Sequence, residues 1–280
     1  FPYKDIRDYY HKWYRPDLQG IVIVGDIDVD AVEAKLKTIF ADVQKAVNPA
    51  ERVYYPVADN KEPIVAIGTD KEVDDPSIEV YFKQDATPDS EKNNVGYLAS
   101  QYMTSMITSM LNARLSELTQ SANPPFTRAY SSYGNFFVAK TKEALNLSAS
   151  SKADGIEKAL KVLLQEAERA RRFGFTESEY ARARANYLQR LESAYNEREK
   201  TKHGSYVREY VRNFLDAEPI PGIETEYAMM NQLAPNLPVQ AINMAIQQLV
   251  PDSNQVVIIA GPEKEGLKYI FSKKTAKRGF

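Results

Sequence analysis

The 280-residue chain is 43% hydrophobic and 26% charged, which excludes a disordered polypeptide and suits one large domain or two small ones. Its 36 basic and 38 acidic side chains leave a net charge of -2, so there is no global positive field to hold nucleic acid or an anionic membrane. The absence of cysteine rules out disulfides, thiolate metal sites and a cysteine nucleophile. With only His11 and His203, far apart in sequence, no two-histidine zinc helix can be written from this chain.

The predicted elements begin with an aromatic amphipathic helix over Tyr3 to Tyr14, stopped at Arg15-Pro16 because the residue before proline is pushed out of the α region. Gly20-Ile-Val-Ile-Val-Gly25 is a β-branched run that predicts a strand, Ile21 to Val24. Asp28 or Asp30 is placed to cap a helix from Ala31 to Phe40. Residues 51–76, with Pro56, Pro63 and Pro76 around the short apolar stretch Ile64 to Ile67, have the composition of a linker.

Beyond it the pattern predicts a strand over Ile78 to Lys83, then a long core helix from Lys92 to Gln120 ended by Asn123-Pro-Pro. Two strands follow, Thr127 to Val138 and Lys142 to Ser151, the second alternating Leu145, Leu147 and Ala149 against Ala144, Asn146 and Ser148. Lys158 to Phe173 is an amphipathic helix with Gly174 as its C′ residue, and Thr176-Glu-Ser-Glu opens another that runs to about Lys200. His203-Gly204 is the expected break before a helix over Ser205 to Leu215, with Tyr206, Tyr210 and Phe214 spaced for the core. A last helix after Leu237-Pro-Val leads to the strand Gln255-Val-Val-Ile-Ile-Ala. Helix, turn and β-branched strand occur at residues 5–25 and again at 238–261, a repeat that suggests duplicated units of which the first is cut short.

The run from Tyr9 to Asp28, Tyr-Tyr-His-Lys-Trp-Tyr-Arg-Pro through Ile-Val-Ile-Val-Gly-Asp-Ile-Asp, resembles the segment that closes the first unit of pitrilysin/insulinase-type zinc metallopeptidases. The blocks Leu111-Asn-Ala-Arg-Leu-Ser-Glu-Leu, Pro124-Pro-Phe and Ala129-Tyr-Ser-Ser-Tyr-Gly-Asn are similar to the helix end and strand entry of the unit after it. The resemblance, which includes the mitochondrial processing peptidases, implies an α+β fold: a mostly antiparallel sheet with long helices on one face. On that mapping residues 1–50 are the last helix-strand-helix of a truncated first unit, 51–76 a linker, 77–270 a nearly complete second unit and 271–280 a tail.

The family's HxxEH zinc helix and distal glutamate would lie upstream. The resemblance thus implies no metal or catalytic residue here, zinc only in the parent protein, and a chain inactive alone. Its partners would be the missing zinc-bearing unit, the second half of the parent and peptide substrates, without nucleic acid or a membrane span. The strand edge at Ile21 to Val24 would invite association. Location in the periplasm or cell envelope follows from family habit. The rival reading is a zinc-free structural or binding module, of the processing-subunit or respiratory core-protein type.

Where the family presents an arginine and a tyrosine to substrate, Tyr130 stands at the tyrosine position, whereas the arginine position falls near Thr119 or Gln120. Arg128, two residues from Tyr130, shares its strand face. This pair is the candidate substrate contact, with strand packing as the bland alternative. The lone His11, and His203 near a helix end, are read as surface or packed residues. The arginines around Arg169 to Arg172 interleave with glutamate and alanine, as on a solvated helix face.

Overall fold

The structure, a computed structural model, describes residues 1–263. The last residues assigned to the second unit and the predicted tail 271–280 lie outside them. Two helices open the chain, α1 (Tyr3–Trp13) and α2 (Val29–Ile39), the latter capped by Asp28, whose carboxylate accepts from the Ala31 amide at 3.0 Å. Neither helix buries a residue. A five-stranded sheet follows, built from β1 (Ile64–Asp70), β2 (Ser77–Asp85), β3 (Arg128–Asn135), β4 (Lys142–Ser150) and β5 (Gln255–Pro262) in the order β1-β5-β2-β4-β3. Every neighbouring pair is antiparallel except β1 with β5.

The period of two along the strands decides which face is covered. Ile78, Val80 and Phe82 of β2 stand beside Ala149, Leu147 and Leu145 of β4. Ile78 and Val80 also stand beside Ile259 and Val257 of β5, and all eight side chains are buried. Against this face lie α3 (Val95–Thr119), α4 (Ile156–Phe173) and α8 (Val239–Leu249), contributing Met106, Leu111, Leu163, Ile242 and Ile246 to one continuous core. The helices α5 (Glu177–Asn196) and α7 (Ile223–Asn236) pack outside them, with Tyr180 and Met230 reaching inward. The architecture is α+β, with helices on one side of a mostly antiparallel sheet.

The turn from α4 into α5 shows why the sequence folds this way locally. Gly174 has φ +69°, and a Cβ there would come within 2.4 Å of the Asn243 side chain, so glycine alone fits. Asn243 in turn bonds both backbone groups of Phe175, at 2.8 and 3.1 Å. Thr176 and Glu179 then form a reciprocal capping box. The Glu179 carboxylate also takes a two-pronged ion pair from the buried Arg114 of α3, at 2.6 and 3.0 Å, while the same guanidinium donates to the Gly174 carbonyl at 3.0 Å.

Several sequence expectations are corrected. Ile21 to Val24 is not a strand: no neighbouring strand offers it a ladder among the described residues, and Ile21 and Ile23 are 58% and 47% exposed. A β-branched run adopts a strand only where its backbone finds partners. The proline-rich stretch read as linker contains β1, whose short apolar segment pairs with β5. The break before α6 (His203–Asp216) falls at 198–202, and His203 is the first helical residue rather than lying at a negative helix end. The aromatic stripe of α6 is not core: Tyr210 and Phe214 are exposed, with the Phe214 ring lying over Gly20. The helix α7 has no counterpart in the sequence reading.

Two outcomes follow from this packing. Hydrogen bonding to Arg114 holds the Glu179 carboxyl down to about 2 from 4.5. A depressed carboxylate stabilises the fold above its unfolded value, and that contribution fades as pH falls from roughly 4.5 toward 2. Acid titration followed by circular dichroism should show this loss, and Glu179→Gln should flatten it. Amide hydrogen exchange should be fast at 21–24 and slow at 145–149; equal protection would restore the strand.

Candidate functional site

With one sheet face under helices, the alternate residues form the other face. The pairing register sets them in rows across the strands. Ser148 (β4) stands between Tyr130 (β3) and Glu79 (β2), and Asn146 between Ser132 and Tyr81. Arg128, Ser150 and Ser77 make the row on one side, and Gly134, Ala144 and Lys83 the row on the other. Toward β5 and β1 the rows turn apolar, with Ile258 beside Ala66 and Val256 beside Ile64. A shallow groove of about 270 Å³ runs over Glu79, Tyr81, Tyr130, Ser132 and Asn146.

Arg128 and Tyr130 do share this face, as i and i+2 residues of a strand must, and both are exposed, Tyr130 at 47%. Of the two, Tyr130 lines the groove, and its other residues were not legible in the sequence, because the strand order that brings β2 beside β4 is a tertiary property. The Tyr81 hydroxyl donates to the Glu79 carboxylate, and burial first, then that carboxylate, pushes the hydroxyl up, so it remains a proton donor. Phe136 and Phe137, in the turn after β3, lean on the Tyr81 ring at centroid separations of 5.4 and 5.1 Å. Phe137 has φ +53°, a costly conformation for a bulky side chain.

Two buried lysines lie at one end of the sheet. Lys83 donates to the Ala58 carbonyl at 2.6 Å, and burial pulls its ammonium down. Lys142 bonds Asp59 and Asp85 at 2.6 and 2.5 Å. Burial pulls Lys142 down, but these two carboxylates outweigh it and leave the ammonium raised. Together the pair ties residues 58–59 to the end of the sheet.

The β3 edge is closed at its centre. The Asn112 side chain of α3 accepts from the Ser131 amide at 2.6 Å and donates to its carbonyl at 3.0 Å, the two bonds an added strand would make. This edge therefore does not offer an unbroken ladder to a peptide. Asn112→Ala leaves both buried-side backbone groups unpaired and should cost about 1–3 kcal/mol. Urea unfolding would show it, and an unchanged midpoint would contradict the latch.

The donor set does not fit zinc. There is no cysteine, His11 and His203 sit on separate helices, and among the described residues no group of three or more His, Asp or Glu side chains is placed to hold an ion. No helix of the described residues is long and apolar enough to cross a membrane.

Residues 1–187 match the family model described as the peptidase M16 inactive domain. The chain belongs to that family. It is 26% identical over 249 residues to a zinc protease PQQL-like protein of Arabidopsis thaliana, covering 89% of this chain and 23% of that protein. It is 23% identical over 244 residues to the probable zinc protease PqqL of Escherichia coli K12, covering 87% and 26%. The chain thus spans about a quarter of the length of these curated relatives. Its fold resembles the first half of the periplasmic protease PqqL from Escherichia coli, with a TM-score of 0.81 at 20% identity over 99% of this chain and 58% of that one. The M16 inactive domain is a non-catalytic domain of zinc-protease family members.

Proposed function

We propose that this chain is scaffold and chamber wall for a zinc-dependent metalloendopeptidase, presenting the open face of its sheet to peptide substrate. The observation that carries the reading is the asymmetry of the sheet. One face is sealed by α3, α4 and α8, and the other carries an uncovered polar and aromatic groove on rigid strands, as suits a surface that meets a ligand. Arg128 and Tyr130 are the peptide contacts of this reading, joined by Glu79, Tyr81 and Asn146.

Residues 1–50 are proposed as the end of a truncated first unit, 51–76 as a connection that adds β1 to the sheet, and 77–270 as the second unit. The exposed Tyr3, Ile6, Tyr9, Tyr10 and Tyr14 of the opening helix give the missing zinc-bearing unit an apolar surface to cover. That unit and the second half of the parent would supply the zinc and its water-activating carboxylate, and the periplasm or cell envelope is the proposed location of the assembly. The substrate is a peptide enclosed within it.

Purified with added zinc and a fluorogenic peptide library, the 280-residue chain is expected to show no hydrolysis above background. Cleavage that a chelator abolishes would overturn the account. A photoreactive phenylalanine analogue at position 130 should crosslink to peptide, whereas one at exposed Phe173, at the end of α4, should not. Equal labelling at the two positions would remove the wall from the open face.

A further inference from the structure

We propose that the open sheet face selects a peptide by one cationic side chain, an arginine, which docks between Tyr130 and Phe137 with Glu79 as its counter-ion. This rests on the peptide-wall reading above and adds the chemistry of the residue held there.

Glu79 is the one carboxylate among the residues that line the groove. One of its oxygens accepts from Tyr81, and among the described residues no lysine, arginine or histidine pairs with it. The exposed aromatic rings of Tyr130 and Phe137 line the same groove, and the Phe137 ring lies 5.1 Å from that of Tyr81. Glu79 and Tyr130 stand two strands apart, about 10 Å by the usual strand spacing, which leaves room for a flat guanidinium between them. A guanidinium satisfies both kinds of wall at once, since it stacks on aromatic faces and bonds a carboxylate through parallel N–H groups. An ammonium meets the carboxylate as a point charge and gains less from the rings.

A second, independent feature points to a ligand. Asn146, 9% exposed and in the lining of the same groove, has a buried Nδ2 with no hydrogen-bond partner. An unpaired buried donor is unfavourable, and a backbone carbonyl of the docked peptide beside the arginine supplies the missing acceptor once the amide turns toward it. The neighbouring charges set the limit of the site. Arg128 stands one row along without an ion pair among the described residues, and Lys83 lies beyond Tyr81 with its ammonium 5.7 Å from the Phe136 ring. Asp59 and Asp85 offset the charge of Lys83 and Lys142 at that end, so a cation is attracted at Glu79 and repelled on the Arg128 side.

The test is calorimetric titration of the 280-residue chain with two blocked pentapeptides, acetyl-Ala-Ala-Arg-Ala-Ala-amide and its citrulline analogue, which has nearly the same shape and no charge. The arginine peptide should bind about tenfold more tightly. Glu79→Gln should erase that preference, and Asn146→Ala should weaken both peptides alike. Tyr130→Leu, at an exposed position, should reduce the preference severalfold and serves if Glu79→Gln fails to fold by circular dichroism. Equal binding of the two peptides would overturn the cation site while leaving the peptide wall standing. Binding of neither would defeat both. A preference that survives Glu79→Gln or Tyr130→Leu would place the cation elsewhere and so contradict the proposal.

Discussion

The structure depends on a sheet whose two faces obey different rules. Alternation along β2, β4 and β5 sends Ile78, Val80, Leu145, Leu147, Val257 and Ile259 to one side, where leaving them in water would forfeit about 1.5–3 kcal/mol for each large aliphatic side chain. That demand recruits α3, α4 and α8. A slip of one residue in the β2–β4 register would exchange these residues for Glu79, Tyr81, Asn146 and Ser148, so the same hydrophobic term that builds the core also sets the groove in place.

The helical layer is held less by area than by a few demanding contacts. Arg114 reaches from α3 to the start of α5, Asn243 from α8 to the same turn, and Gly174 leaves the space both need. A buried ion pair is costly to break, because the surviving charge has nowhere to go. These contacts fix the helices on the sheet, and a rigid sheet is what a ligand-facing wall requires. The Asn112 latch serves the same end from the edge, by occupying backbone groups that would otherwise recruit another strand.

Much of this was legible in the residues. The alternation of Lys142–Ser150, the capping box at Thr176, the C′ glycine at 174 and the Asn123-Pro-Pro stop each have a local cause and appear where their local chemistry puts them. What depended on partners was not legible. Ile21 to Val24 has strand composition but no ladder, β1 hides in a proline-rich stretch because β5 pairs with it, and α7 has a weak apolar stripe and a proline near its end. On the open face, Arg128 and Tyr130 could be paired from their spacing alone. Glu79, Tyr81 and Asn146 could not, since only the strand order brings them beside that pair. The unpaired amide of Asn146 has no sequence signal at all.

The central claim is that one face of the sheet is open and the other sealed, and brief hydroxyl-radical oxidation of the folded chain read by mass spectrometry tests it most directly. Tyr130 and Phe137 should label rapidly, while Tyr102, Met106 and Tyr180, buried beneath the helices, should stay unmodified. Protection of Tyr130 and Phe137 to the level of Tyr102 would mean that something in the chain already covers the groove, and the wall would be no wall.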